Sequence, residues 1–180
     1  MSKEDLKELV EYARANYIEV IPLFQSLGHC EWLFKNGQNV DLAENPGTLN
    51  VYNVRNPEVH KLMTRVLDEV VELFQPNMLH IGHDEVGNET NYPFQEANRK
   101  EGGAKLIMDD IMFYYDYCQK HNMKMMMWHD MFIRTPQKPH GSFGLAEERL
   151  KLPRDIYFAF WDYGATVDEN TVRELHEEGF

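Results

Sequence analysis

Amphipathic helical patterns recur along this chain of 180 residues. Apolar residues at helical spacing, separated by charged residues, predict four helices over 2–16, 57–74, about 104–122 and 171–178. A shorter helix is predicted over 94–101, inside a polar loop, whereas the segment 36–56 is rich in turn residues.

Short apolar runs lie between these helices and predict buried strands. The four runs are 18–24, 78–83, 123–128 and 156–161. Nearly continuous apolar runs of this length are typical of strands in a parallel sheet. Because the strands alternate with amphipathic helices, the sequence predicts an α/β fold with a parallel sheet.

Polar and aromatic side chains follow every predicted strand. In folds built on parallel sheets, the chemistry collects at the carboxyl ends of the strands. Four strand ends with such residues are a stronger signal than any single motif. The residues concerned are Gln25 and His29, then Asp84 and Glu85, then Trp128, His129 and Asp130, then Trp161, Asp162 and Tyr163.

The stretch LHIGHDEVG, residues 79–87, is the most informative of these ends. An apolar run breaks at Gly82 and leads directly to His83, Asp84 and Glu85. Two adjacent carboxylates in a cleft repel each other, which favours a proton on one of them, so that one donates a proton while the other stays charged. A solvated pair that caps the next helix is the alternative for the dipeptide alone.

Composition narrows the class of protein. The length fits one domain over 1–180, and 43% hydrophobic residues suffice for a core. The net charge of -12 argues against nucleic acid and anionic membranes as partners. There is no membrane-spanning apolar run, and the start resembles a helix rather than a signal peptide. Cys30 and Cys118 lack metal-like spacing. We expect a cytoplasmic protein with no bound metal or cofactor.

Several motifs in order resemble one enzyme family. EDLKELVEYARANYIEVIP at 4–22, QSLGHCE at 25–31, HIGHDEV at 80–86 and WHDM at 128–131 carry the likeness. Together they resemble glycoside hydrolase family 20, the β-N-acetylhexosaminidases, and most closely its hexosaminidase D-like branch. The resemblance implies an N-acetylhexosamine-containing glycan or glycoside as the substrate.

The resemblance also implies a fold. Family 20 enzymes have a (β/α)₈ barrel, which typically needs roughly 250 residues. The four strands here resemble strands three to six, so we expect 1–180 to form a single partial catalytic barrel domain. An open half-barrel leaves two unpaired sheet edges, which predicts self-association.

In the family mechanism the nucleophile is the substrate's own 2-acetamido oxygen. The resemblance makes Glu85 the general acid/base and Asp84 the group that orients the acetamido substituent. An ordinary retaining mechanism is the competing possibility, and it would need a second carboxylate from another strand, namely Asp130 or Asp162.

The resemblance implies further substrate-binding residues. Trp128 and Trp161 resemble aromatic walls that hold the sugar, with core packing as the alternative. His29 resembles a loop histidine that supports the acid. Gln25, Glu31, Asp130 and Asp162 complete the predicted substrate contacts. The family's second glycine of HIGGDE is His83 here, which we expect to crowd the site or to add a proton donor.

Two other functions stay open at the level of sequence. A metal-dependent hydrolase would use a ligand set drawn from His29, His80, His83, Asp84, His129 and Asp130. Against it, His80 and His83 are expected on opposite faces of a strand, with His80 packed in the core. The other alternative is a non-enzymatic sugar-binding or assembly fragment.

Overall fold

The computed structural model describes residues 2–87, 92–164 and 168–180. Its four strands form one parallel sheet in the order β1-β2-β3-β4, which confirms the predicted parallel α/β fold. The strands are β1 (Leu23–Ser26), β2 (Met78–Gly82), β3 (Lys124–Trp128) and β4 (Ile156–Ala159).

The helices lie between and beyond these strands. They are α1 (Lys3–Ala15), α2 (Glu31–Phe34), α3 (Pro57–Phe74), α4 (Glu96–Arg99), α5 (Gly103–Lys120), α6 (Leu145–Glu148) and α7 (Glu169–Glu177), with short 3₁₀ turns at 35–37, 40–42, 142–144 and 149–151.

Local signals explain where the long helices begin. The Ser2 hydroxyl accepts from the Asp5 N–H at 3.1 Å, and the Asp5 carboxylate accepts from the Ser2 N–H at 2.7 Å. Asn56 caps α3 in the same way by accepting from the Glu58 N–H at 3.0 Å. No helix in the described part of the chain is long and apolar enough to cross a membrane.

The predicted first strand, 18–24, is placed too early. β1 begins at Leu23, which lies opposite His80, while β2 itself begins only at Met78. Residues 18–20 therefore have no strand beside them with which to form a ladder. Ile18 is 58% exposed, and its N–H donates to the Ala13 carbonyl at the end of α1.

The two faces of the sheet have different environments. Leu79, Ile81, Met125 and Met127 are almost completely buried in the main hydrophobic cluster, which includes residues of α3 and α5. Alternate residues project to the other face, where Trp128 is half-buried. The carboxyl ends of the strands therefore open onto a partly exposed surface.

Candidate active site

A sharp backbone turn follows β2 and places the carboxylate pair. Gly82, His83 and Glu85 have φ angles of 75°, 68° and 47°. A side chain at Gly82 would meet Gln25, because a Cβ there would lie 2.5 Å from the Gln25 Oε1. Glycine at this position therefore lets β1 and β2 bring Gln25 against the turn.

Asp84 and Glu85 lie in different environments although they are adjacent. The Gln25 amide donates to the Asp84 Oδ1, and the Asp84 side chain is 18% exposed. The Glu85 side chain is 57% exposed, and its Oε2 lies 3.2 Å from the His29 Nε2. The same imidazole nitrogen is 3.7 Å from the Asp84 Oδ2. One carboxylate is thus held in place, while the other projects toward solvent.

Asp130 supports the turn from β3. Its Oδ2 accepts a hydrogen bond from the Glu85 N–H at 3.0 Å, whereas its buried Oδ1 has no partner among the described residues. Burial, together with the charges of Asp84 and Glu85, raises the pKa of Asp130 to about 6, against the effect of the Glu85 hydrogen bond.

A cavity of about 260 Å³ opens at these strand ends. We call it the Asp84 cavity; its lining residues are Asp84, Glu85, Trp128, Trp161 and Tyr163. The Trp128 ring packs against His80, with centroids 4.3 Å apart, and Trp161 packs against Tyr163 at 5.4 Å. Tyr163 was not among the predicted substrate contacts, although its place after β4 was a signal for it.

Five predicted contact residues do not line this cavity, namely Gln25, His29, Glu31, Asp130 and Asp162. Glu31 is exposed at the first position of α2. The Asp162 Oδ1 accepts from the Gly164 N–H at 2.7 Å and so closes a tight turn. Substrate contacts by these residues, and by Trp128 and Trp161, stay predictions.

The prediction for His83 was wrong. Its side chain turns away from the cavity and is fully buried, with Nδ1 2.8 Å from the Ser26 Oγ and Nε2 3.0 Å from the Asp110 Oδ2. Asp110 also accepts from Tyr52 at 2.6 Å and lies 2.8 Å from the His60 Nε2. Burial opposes ionisation of Asp110, but its contacts with His60 and His83 hold its pKa below the ordinary value. His83 therefore anchors the turn from behind.

Only part of the metal-ligand set considered above is close together in the described residues. His29 and Asp84 belong to that set, and Glu85, which does not, lies beside them, so that the three offer ligand atoms within 4.8 Å of one another. His80 is buried against Trp128, and burial lowers its pKa to about 4. His129 is also buried, and its Nδ1 lies 3.4 Å from the Trp161 N–H. The imidazoles of His80, His83 and His129 thus have other neighbours.

These features define a class of protein: a segment of a β/α barrel with a carboxylate pair and tryptophans at its strand ends. The whole chain, residues 1–180, matches the model of glycosyl hydrolase family 20, catalytic domain. The chain belongs to this family, as its motifs predicted.

Individual relatives agree with this assignment. Hexosaminidase D from Bos taurus is 30% identical over 193 residues, which cover 99% of this chain and 53% of the relative. Hexosaminidase D from Homo sapiens is 27% identical, and the match covers 93% of this chain and 34% of the relative. The chain therefore spans about half the length of the bovine relative and about a third of the human one.

Solved structures show the fold. A chitobiase from Flavobacterium johnsoniae matches 100% of this chain and 27% of its own, with a TM-score of 0.75 and 18% identity. A β-N-acetylhexosaminidase from Bacteroides fragilis matches 97% of this chain and 35% of its own, with a TM-score of 0.70 and 21% identity. The four-stranded sheet is therefore part of a TIM barrel, as predicted.

Proposed function

We propose that this chain carries the catalytic acid/base segment of a glycoside hydrolase that removes terminal N-acetylhexosamine with substrate assistance. The observation that carries the proposal is that the adjacent carboxylates lie in different environments. Asp84 accepts a hydrogen bond from Gln25, whereas Glu85 is exposed beside His29. The names of the relatives, hexosaminidase D and β-N-acetylhexosaminidase, support this class of substrate.

Glu85 is the general acid in this mechanism. The acetamido oxygen attacks the anomeric carbon, the glycosidic bond breaks, and the departing oxygen takes the proton from Glu85. Water then attacks the cyclised intermediate and opens it. In this step Glu85 accepts a proton from the attacking water. The hydrogen bond from the Glu85 N–H to Asp130 fixes the backbone, and His29 lies within reach of the carboxylate.

Asp84 orients the acetamido group and stabilises the positive charge that develops when the ring closes. A fixed carboxylate does this better than a mobile one, because no reorganisation is needed as the charge forms. The Gln25 amide on one side and His29 on the other restrict its side chain. Trp128 and Trp161 offer large apolar faces for the sugar in the same cavity.

Turnover of a chromogenic N-acetylhexosaminide by the Glu85→Gln variant tests the assignment. We expect a fall in kcat of about 10²–10⁴, the usual contribution of a general acid, with the fold retained. Substrates with acidic leaving groups should lose less, because they need less protonation. Glu177→Gln is the matched control, since Glu177 is exposed on α7 and outside the cavity.

The same experiment separates the alternatives. Wild-type turnover no higher than that of Glu85→Gln, together with retained binding of N-acetylhexosamine, would favour a non-enzymatic sugar-binding fragment. Loss of wild-type activity in a chelator, restored by added divalent metal, would instead favour the metal-dependent hydrolase at His29, Asp84 and Glu85.

We also propose that the chain associates with itself through its open sheet edges. In the described residues, β1 and β4 each have a strand on one side only. Leu23 on β1 is 54% exposed and Tyr157 on β4 is 42% exposed. Unpaired edges with exposed apolar residues favour pairing with another chain.

A further inference from the structure

A second cavity borders Glu85 and is not lined by Asp84 or Trp128. It encloses about 390 Å³ and shares Glu85 and Trp161 with the Asp84 cavity. We call it the Lys138 cavity. Its other lining residues are Gly87, Asp130, Met131, Ile133, Thr135 and Lys138.

The position of this cavity relative to the acid determines what it would hold. A general acid protonates the oxygen that joins the sugar ring to the departing group. The acid therefore lies between the binding sites of the ring and of the departing group. If the ring occupies the Asp84 cavity and Glu85 is the acid, the departing group lies in the Lys138 cavity. This step rests on the proposed function.

Lys138 is the cationic residue among the described residues that line this cavity, and the lining also includes Glu85 and Asp130, neither of which lies within ion-pair distance of the lysine. The Lys138 ammonium donates to the Ser142 Oγ at 3.3 Å, and it has no carboxylate partner among the residues that the structure describes. The backbones of Thr135 and Lys138 exchange two hydrogen bonds of 3.0 Å, which fix the position of the lysine. Asp130, on the same cavity wall, accepts a hydrogen bond from the Glu85 N–H instead.

We propose that the Lys138 cavity binds a leaving-group sugar with an anionic substituent, and that Lys138 selects it. A carboxylate on a hexuronate and a sulfate ester on a hexose present the same chemistry to the ammonium. In a chain with a net charge of -12, a lysine that pairs with no carboxylate in the described ranges 2–87, 92–164 and 168–180 favours an anion that the rest of the protein repels.

Three disaccharides test the proposal, each with N-acetylhexosamine β-linked to glucose, glucuronate or glucose 6-sulfate. We expect kcat/KM to be about tenfold higher for an anionic leaving sugar than for glucose, as a hydrogen bond to a charged group contributes. A preference for glucuronate alone identifies the uronate, and one for the sulfate alone identifies the sulfated sugar.

Variants of Lys138 show whether it carries the preference. Lys138→Met should abolish it, so that the ratio of kcat/KM between the anionic and the glucose-linked substrates falls to about one. Lys138→Arg should retain it. Lys151→Met removes an equal charge from an exposed lysine that pairs with Glu148, and it should also retain the preference.

Equal kcat/KM for all three disaccharides, or a preference that survives Lys138→Met, would overturn the proposal and leave the proposed function intact. Absence of any hydrolysis, including that of a chromogenic N-acetylhexosaminide, would count against the proposed function. In that case the wild type and Lys138→Met are titrated with glucuronate. Equal affinity of the two proteins for glucuronate also overturns the proposal.

Discussion

Asp130→Asn should stabilise the fold at neutral and alkaline pH but not at acidic pH. Burial is the main reason why the pKa of Asp130 rises from 3.8 to about 6. Since the pKa of Asp130 is higher in the folded than in the unfolded state, the folded state binds the proton more tightly, and protonation of Asp130 stabilises the fold. This stabilisation is complete below about pH 4 and is lost as the pH rises through about 6. The two pKa values differ by about 2, which corresponds to about 3 kcal/mol of unfolding free energy.

The variant isolates the effect of Asp130 ionisation on stability, because asparagine does not ionise and still offers an oxygen to the Glu85 N–H. Urea unfolding, followed by tryptophan fluorescence at about pH 4.5 and about pH 8, gives the free energies. The unfolding free energy of the variant minus that of the wild type should be about 2–3 kcal/mol larger at about pH 8 than at about pH 4.5. Asp162→Asn, at an exposed turn, is the control and should show no such growth. A difference that changes by less than about 0.5 kcal/mol refutes the reasoning.

Two further predictions concern the buried network and the open edges. Asp110→Asn should cost about 3–5 kcal/mol of unfolding free energy, because it removes a fully buried charge that Tyr52 and His60 contact. The loss should shrink below about pH 4, because the lowered pKa of Asp110 means that its stabilising contribution disappears on acidification. A loss of unfolding free energy under about 1 kcal/mol at neutral pH would contradict the role of this network. Sedimentation at micromolar concentration should give dimers or larger species, weakened by Leu23→Lys; a stable wild-type monomer would contradict the open edges.

The long elements could be predicted because their signals are local. α1 and α3 have capping residues and an apolar face in the sequence itself, and the bounds of α3 agree with the prediction. β2, β3 and β4 were located within two residues at either end. The short α2 and the 3₁₀ turns around it, in 31–42, were not predicted, because single turns contain too few residues for a periodic pattern.

The arrangement around the carboxylates could be predicted only in part. The order of the strands indicated that Asp84, Glu85 and Trp128 would lie near one another, and they do. The bond from Gln25 to Asp84 joins residues 59 positions apart and depends on the register between β1 and β2.

The position of His83 was still harder to predict. Its burial depends on Asp110, a residue of α5. Nothing in the sequence near His83 indicates that such a partner lies behind the turn. The pairing is a product of tertiary packing, which local patterns do not contain.

The rate ratio for two chromogenic glycosides, identical except at C2, tests the central claim most directly. One substrate carries the 2-acetamido group and the other a 2-hydroxyl. The account predicts that kcat/KM is at least about 10² higher for the acetamido substrate, because only that substrate contains its own positioned nucleophile. Equal values for the two substrates would contradict substrate assistance and would assign the nucleophile to a protein carboxylate, with Asp130 or Asp162 as the first residues to test.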